Sequence, residues 1–241
     1  FHTGNILPHN SINFIYPGAN MVTWVGTADG LVKVTVQSED NSNLEAERFF
    51  SGQNLSFISV KEIRGSIYFG TGAGNIIEFN NTTNSFNDLE GLDRMLQGNV
   101  TVMEANESGQ ILMGTDVGDI LFVDNISGQN HYFRSGRVAN LDAQYIDDII
   151  ADSYGLFWII SEKRGVFQFN PHTESFLYFG LNYQNRLFLG EPDKQTFFED
   201  SNRNLWIGIN GGGLFLYERE SNTFRQYEHD PNNFSSLSSD I

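Results

Sequence analysis

The sequence predicts an all-β fold, a β-propeller built from five copies of one four-stranded blade, and two features lead to that prediction. The first is a recurring pattern of an apolar strand, a glycine turn and a second apolar strand, clearest over residues 206–217. The second is a nearly constant period of 44, 44, 47 and 48 residues between the turn glycines, which are Gly30, Gly74, Gly118, Gly165 and Gly213. Short strands repeated at such a spacing are typical of propeller blades.

The fourth repeat shows how the elements follow one another. Four strands are predicted over residues 147–151, 156–161, 166–170 and 175–179, separated by turns at 152–155, 162–165 and 171–174. The same order elsewhere gives repeats over 7–53, 54–97, 98–143, 144–191 and 192–239. Residues 237–241 resemble another blade opening, so we expect a sixth repeat to begin there and the chain to be part of a larger propeller; closure of five blades alone is the alternative.

Two sets of residues have a backbone explanation. Six positions before each anchor aromatic residue, or its substitute, lie Gly18, Glu62, Asn106, Asp152 and Asp200. Asp and Asn at that place can close a turn onto backbone N–H groups, although a ring of carboxylates could also bind cations. Glycines inside the second strands allow the close approach of a neighbouring sheet, at Gly26, Gly70, Gly114 and Gly208. Ile160 interrupts that series, so the fourth blade is predicted to pack differently.

The composition limits the classes of partner. The formal net charge is -16, whereas phosphate backbones and anionic lipid surfaces bind basic proteins. We therefore expect no nucleic acid and no direct membrane contact in this segment, and a neutral or cationic polar ligand fits better. The absence of cysteine excludes disulfides, thiolate catalysis and zinc–thiolate sites. The five histidines are scattered, so neither a metal site nor a cofactor is predicted.

The fifth repeat carries a specific resemblance. The segment 200–208 is followed by Gly212-Gly213-Leu214 and by Phe224 and Tyr227. The first repeat is similar over 7–12, 24–27 and 29–31, and residues 231–239 fit the same pattern. In these residues the chain resembles the two-component regulator propeller repeat, over essentially its whole length. It departs from that repeat at Arg203, where glycine is usual, and at Leu112, which replaces tryptophan.

The resemblance implies a biological setting. Such repeats form the periplasmic sensor region of hybrid two-component sensor histidine kinases in bacteria that degrade carbohydrates, where the ligands are typically glycan fragments. It therefore implies a ligand-sensing ectodomain fragment that signals to a kinase outside this chain. The implied partners are an oligosaccharide, the rest of the sensor ectodomain and a second copy in a homodimer. Two alternatives remain open: an extracellular glycan hydrolase or lyase, and a scaffold that only dimerises.

No catalytic motif is present in the sequence. It contains neither a Gly-x-Ser-x-Gly elbow nor a His-Glu-x-x-His pattern. A glycosidase needs two carboxyl groups across the scissile bond. Asp147 and Asp148 are adjacent, and neighbouring residues of a regular strand point to opposite faces. We therefore predict no catalytic residues and no enzyme activity in this segment.

A ligand site is predicted on the face where two sets of loops meet. One set joins the second and third strands of a blade, and the other joins the last strand to the next blade. The longest repeats place extra loop residues around 134–145 and 180–192. Aromatic rings stack on sugars, and amide and guanidinium groups bind hydroxyls and carboxylates. The predicted basic and aromatic cluster is Arg137, Tyr145, Lys163, Arg164, Tyr183, Asn185 and Arg186.

Overall fold

A computed structural model describes residues 6–37, 44–88, 96–124, 126–162, 164–179 and 195–240. It contains five antiparallel sheets of four strands, which we number first to fifth in chain order. The first sheet contains β1 (Ile12–Pro17), β2 (Val22–Thr27), β3 (Gly30–Val36) and β4 (Leu44–Phe49). The second contains β5 (Phe57–Ile63), β6 (Ser66–Thr71), β7 (Ile76–Asn80) and β8 (Ser85–Asp88). The third contains β9 (Val100–Ala105), β10 (Ile111–Thr115), β11 (Ile120–Asp124) and β12 (Gln129–Phe133).

The fourth sheet contains β13 (Ile146–Ala151), β14 (Phe157–Ser161), β15 (Gly165–Asn170) and β16 (Ser175–Phe179). The fifth contains β17 (Gln195–Glu199), β18 (Leu205–Ile209), β19 (Gly213–Glu218) and β20 (Thr223–Tyr227). In every sheet the strands lie in chain order, and the prediction of five four-stranded blades is confirmed. No helix occurs among the described residues. The chain forms two compact units, Phe1–Met103 and Glu104–Ile241, whose boundary falls within β9.

In the first unit, the core is organised around one indole ring. Trp24 on β2 is 1% exposed, and its ring lies 4.8 Å from that of Phe79 and 6.1 Å from that of Phe86, centroid to centroid. Phe79 and Phe86 are direct partners on β7 and β8. The first sheet therefore presents a large ring to an aromatic pair of the second, an arrangement that combines burial with favourable edge-to-face geometry.

The second unit repeats this contact twice. Trp158 on β14 lies 4.5 Å from Tyr217 and 6.1 Å from Phe224, and these two residues are partners on β19 and β20. Between the third and fourth sheets, Leu112 stands at the tryptophan position, and Phe133 on β12 supplies the large ring instead. Phe133 contacts Phe169 at 5.4 Å and Phe176 at 5.2 Å, and that pair is again formed across neighbouring strands, β15 and β16.

The first strand of three sheets carries a bulge near its beginning. The register shifts between Ile12 and Phe14, between Phe57 and Ser59, and between Ile146 and Asp148. The corresponding pairing of β17 with β18 is regular. A bulge re-aims the extra side chain. In the first sheet that residue is Asn13, whose amide donates to the Phe57 carbonyl at 2.8 Å and thus links β1 to the second sheet.

The in-strand glycines make room for side chains of two different origins. A Cβ atom on Gly114 would lie 2.4 Å from Cγ2 of Ile146 on β13, in the next sheet, as predicted. At Gly26 it would lie 2.2 Å from the ring of Phe14, on β1 of the same sheet. The prediction of a neighbouring sheet is therefore wrong at Gly26, because a bulky first-strand residue fills the space there.

The glycines between the second and third strands lie against the loop that leads to the next sheet. Gly118 has a φ of +84°, and a Cβ there would lie 2.4 Å from the Ala143 carbonyl oxygen. Gly213 has a φ of +79° and the same distance to the Tyr227 carbonyl oxygen. Each hairpin is thus pressed onto the backbone of the following connecting segment, which only a residue without a side chain allows.

We expect Gly118→Ala to lower the free energy of unfolding by about 1–3 kcal/mol more than Gly128→Ala does. Both glycines have a positive φ, but a Cβ on Gly128 meets nothing within 4 Å. Gly128→Ala therefore has only the backbone cost of about 1–2 kcal/mol. Urea unfolding of the two variants measures the difference, and equal losses would show that the close contact at Gly118 does not contribute.

Candidate functional site

The structure describes three of the seven predicted site residues. Arg137, Tyr145 and Arg164 all belong to the second unit. The other four lie outside the described residues: Lys163, Tyr183, Asn185 and Arg186. The described part of the candidate site therefore consists of the connecting segment 134–145, between β12 and β13, and the hairpin between β14 and β15.

The connecting segment 134–145 is held in place by internal hydrogen bonds. Leu141 and Ala143 are buried, and Val138 forms a bridge with Leu141. The Ser135 hydroxyl donates to the Ala143 carbonyl at 2.5 Å, and the Ser135 N–H donates to the carboxylate of buried Asp119 at 2.9 Å. A loop with buried side chains and satisfied backbone groups presents its exposed residues in a fixed arrangement.

Tyr145 and Arg164 lie on opposite sides of the junction between the connecting segment 134–145 and the hairpin of the fourth sheet. The Glu162 N–H donates to the Tyr145 carbonyl at 2.8 Å, which ties the hairpin of the fourth sheet to the connecting segment. The Arg164 guanidinium lies 3.2 Å from the Asp142 carboxylate, across the same junction. Arg137 is exposed on the same connecting segment, where its N–H donates to the Arg134 carbonyl at 3.1 Å.

The surroundings of Tyr145 are acidic. Burial raises the pKa of its phenol, and the nearby carboxylates of Asp147, Asp116 and Glu162 raise it further. The pKa of Asp147 is itself raised, first by burial and then by the charges of Glu162 and Asp148. Both shifts have the sign expected for acidic groups that are partly buried and lie near ionised carboxylates.

Sequence reasoning selected the basic residues of these loops and missed the acidic ones. Asp142 pairs with Arg164, so the guanidinium charge is locally balanced. Glu162 and Asp116 occupy the two hairpins that flank the connecting segment 134–145. Lys163 and Arg164 were selected because they lie in the loop between the second and third strands of a blade. Glu162 precedes them in the same loop, so the same reasoning could have identified it.

The acidic residues before the anchor tryptophans close turns, as predicted. In the fifth sheet, Asp200 accepts the N–H groups of Asn202 and Asn204, both at 2.9 Å, and the indole N–H of Trp206 at 3.0 Å. Asp152 accepts the indole N–H of Trp158 in the same way at 2.9 Å. In the described part of the chain, no group of three or more acidic or histidine side chains is arranged to hold a metal ion.

A charged clasp joins the fourth and fifth sheets at the end opposite the connecting segments. Arg219 lies 2.9 Å from the Asp152 carboxylate and 3.4 Å from that of Glu199, and its guanidinium carbon is 4.0 Å from the centre of the Tyr154 ring. Ser153 donates to Glu199 from both its N–H and its hydroxyl, at 2.8 and 2.9 Å. These polar groups are used in joining the sheets.

Asp147 and Asp148 do not lie on a regularly alternating strand, contrary to the prediction. The bulge between Ile146 and Asp148 makes Asp147 an additional residue of β13. Their directions are therefore not fixed by strand periodicity, and the prediction that this segment has no enzyme activity stays a prediction.

Comparisons with known proteins give similarity in fold. No protein-family model matches the chain, and no curated protein matches it in sequence. Two similar solved structures are extracellular domains from B. thetaiotaomicron, of proteins assigned as the hybrid two component systems BT4673 and BT3049. Their TM-scores are both 0.64, with 15% and 17% identity. Each match covers 95% of this chain but only 29% and 32% of the other.

A third similar structure is the Dos1 propeller, with a TM-score of 0.62 and 14% identity, covering 95% of this chain and 61% of that one. The chain thus spans about a third of the length of the two sensor domains.

In the described residues, no helix has the length and apolar character needed to cross a membrane. Together with the five four-stranded sheets, these similarities establish an all-β propeller fold.

We expect Arg219→Ala to lower the free energy of unfolding by about 2–3 kcal/mol, because it leaves the carboxylate of fully buried Asp152 without its cation. The neutral donors that remain to Asp152 keep the loss from being larger. Arg225→Ala is the matched control, since Arg225 is 61% exposed in its pair with Glu218 and such surface pairs contribute little. Urea unfolding compares the two, and similar losses would contradict a stabilising clasp.

The pH dependence of stability should differ in sign between Asp200 and Asp147. Hydrogen bonds from Trp206 and Asn204 lower the pKa of Asp200 to about 2, so its stabilising effect is complete above its ordinary pKa and is lost as the pH falls from about 4 to about 2. Asp200→Asn should therefore melt at a lower temperature than the wild type above about pH 4. This difference in melting temperature should disappear as the pH falls from about 4 to about 2.

Asp147 provides the opposite case for the same measurement. Because its pKa is raised, its ionisation destabilises the fold as the pH rises above about 4. Asp147→Asn should then gain stability relative to the wild type as the pH increases. Melting temperatures of the three proteins between pH 2 and pH 7 test both signs; parallel curves would refute them.

Proposed function

We propose that this chain belongs to the ligand-sensing region of a periplasmic hybrid two-component sensor and recognises an oligosaccharide. The observation that carries the proposal is the similarity to extracellular domains of such systems over 95% of the chain. The resemblance of residues 200–208 and 24–31 to the repeat of these sensors supports it. The signal passes to a histidine kinase in another part of the parent protein, and this segment itself is non-catalytic.

The junction at Tyr145 and Arg164 is the proposed recognition site, together with Arg137 and with Lys163, Tyr183, Asn185 and Arg186. The exposed ring of Tyr145 offers a surface for a sugar ring. The pair formed by Arg164 and Asp142 supplies donors and acceptors side by side, which suits the hydroxyl groups of a neutral sugar. Carboxylates near Tyr145 disfavour an anionic sugar, so a neutral or cationic oligosaccharide is the preferred ligand class.

Transmission of a signal requires a ligand that binds two states of the protein differently. The junction is suited to this because one side belongs to the connecting segment 134–145 and the other to the hairpin of the fourth sheet. Because the connecting segment is internally fixed, a ligand bound across the junction would act on how the hairpin meets this segment rather than on the segment alone. In the parent protein, we propose that the change is communicated through the rest of the ectodomain within a homodimer.

One observation favours a second function, the hydrolysis or cleavage of a glycan. Asp147 has a raised pKa and lies near enough to Glu162 for the charges to interact. Glycosidases use two carboxyl groups, one of which has a raised pKa and acts as the acid. Product analysis by chromatography separates this function from sensing, because only an enzyme converts the oligosaccharide.

We expect neutral or cationic oligosaccharides to raise the melting temperature of the chain in a concentration-dependent manner, as any ligand specific for the folded state does. Arg164→Ala and Arg186→Ala should each weaken the response. Arg225→Ala is the matched control, because it also removes an arginine paired with a carboxylate, but at an exposed position on β20.

The outcomes separate the three functions. A shift without cleavage supports sensing, and a shift with cleavage supports the enzyme. No shift with any oligosaccharide, with a dimer detected by sedimentation, supports the dimerisation scaffold. Binding that is unchanged in both Arg164→Ala and Arg186→Ala would place the site elsewhere.

A further inference from the structure

The loop that follows the fifth sheet carries one fully exposed aromatic ring. It spans residues 228–240, and we call it the Phe234 loop. The side chain of Phe234 is 104% exposed, more than any other large apolar residue in the described part of the chain. Because contact between a large apolar side chain and water is unfavourable, a ring in this position is suited to a ligand that covers it.

Hydrogen bonds within the loop hold this ring in place. The Asn233 N–H donates to the Asp230 carbonyl at 2.9 Å. The Ser236 N–H donates to the Asn233 carbonyl, also at 2.9 Å, so Phe234 is a central residue of a closed turn. The Ser236 hydroxyl accepts the Asp230 N–H at 2.9 Å and donates to the Asp230 carbonyl at 3.1 Å. A ring presented by a preformed loop loses less conformational entropy when a ligand binds.

The base of the Phe234 loop is attached to the fifth sheet. The Gly211 N–H, in the hairpin between β18 and β19, donates to the Asp240 carbonyl at 2.7 Å. The Asp240 carboxylate accepts the His229 N–H at 2.6 Å, and Nδ1 of the His229 ring lies 2.6 Å from the Leu237 carbonyl oxygen. The loop therefore lies at the hairpin end of its sheet, the same kind of position that the candidate site occupies.

The Phe234 loop is the counterpart of the connecting segment in the candidate site. The Arg137 N–H donates to a carbonyl three residues earlier, as the Asn233 N–H does, and both residues precede a leucine by four positions. Phe234 therefore corresponds to Val138, which is half-buried and forms the bridge with Leu141. Phe234 instead faces solvent, and Asn233 stands in the place of Arg137, one of the predicted site residues.

The tip of the Phe234 loop is neutral and rich in hydrogen-bonding groups. Residues 231–239 carry no charged side chain, in a chain whose formal net charge is -16. Asn232 and Asn233 place two amides directly before the ring, and Ser235 places a hydroxyl directly after it. Amides and hydroxyls both donate and accept hydrogen bonds, which suits the hydroxyls of a neutral sugar. One ring among polar groups is small beside a stable protein interface, which buries about 1,200–2,000 Å².

We propose that the Phe234 loop is a second sugar-binding subsite, in which one face of a neutral pyranose ring stacks on Phe234. The aromatic ring provides rigid contact area at low entropic cost, while asparagine and serine provide adaptable hydrogen bonds. Hydroxyls at the edge of the sugar bind the amides of Asn232 and Asn233. This inference rests on the proposed function, because it adds a subsite for the same class of ligand to the one at Tyr145 and Arg164.

The test measures melting temperatures and dissociation constants of the chain with cellohexaose, xylohexaose and mannohexaose. Phe234→Ala removes the ring, and Phe234→Trp keeps an aromatic surface. Ile126→Ala is the matched control, because Ile126 is another exposed apolar side chain, 66% exposed, in the turn between β11 and β12. Without oligosaccharide, all three variants should melt with the wild type, because neither exposed side chain is packed in the core.

With the oligosaccharide that binds most tightly, we expect Phe234→Ala to raise the Kd about tenfold. Phe234→Trp and Ile126→Ala should leave the Kd within about twofold of the wild-type value, because stacking is kept in both. The fluorescence of the added tryptophan, obtained as the difference from the wild type, should move to shorter wavelength when the oligosaccharide binds.

Three results would contradict the subsite. A wild-type response that Phe234→Ala retains in full would overturn it and leave the proposed function intact. No response of the wild type to any of the three oligosaccharides would contradict both. A wild-type dimer that Phe234→Ala dissociates, detected by sedimentation, would overturn the subsite and identify a second copy of the chain as the occupant.

Discussion

Within each of the two units, a large ring from one sheet lies on a pair of aromatic side chains of the following sheet, and this contact holds the two sheets together. Trp24 and Trp158 occupy the same register position, and each meets residues seven positions apart on two paired strands. A buried aromatic residue of this size removes about 150–250 Å² of surface from water, a contribution of roughly 4–6 kcal/mol. Inserting one residue within a strand would turn its ring to the other face, whereas the loops accommodate changes in length. The ring and the pair are 55 residues apart from Trp24 to Phe79 and 59 residues apart from Trp158 to Tyr217.

The two ends of the sheets have different structural roles. At one end, Asp152 and Asp200 close the turns before Trp158 and Trp206 and accept their indole N–H groups. Arg219 adds a clasp between the fourth and fifth sheets at that end. At the other end, the hairpin glycines press on the connecting segments, and exposed side chains such as Tyr145 project from this rigid base. The recognition site that we propose lies at this second end, where Tyr145 is exposed.

The candidate site illustrates how far sequence reasoning reaches. The repeat fixed which loops lie together, and the hydrogen bond from Glu162 to the Tyr145 carbonyl confirms that the hairpin and the connecting segment meet. The sign of the local charge was not predictable, because it depends on which side chains pair. Arg164 is balanced by Asp142, and Asp116 reaches the neighbourhood of Tyr145 from another hairpin. These residues are 22 and 29 positions apart, and only folding sets their separation.

The sequence by itself determined the number of sheets, the order of their strands and the role of the turn aspartates. Each of these follows from local patterns that recur with a fixed period, namely strand alternation, turn chemistry and backbone freedom at glycine. The tertiary structure alone decided what fills the space beside Gly26, where the bulge at Asp147 interrupts alternation, and that Phe198 is exposed beside Trp206. These features depend on contacts between side chains distant in the chain, and no local pattern encodes the geometry of such contacts.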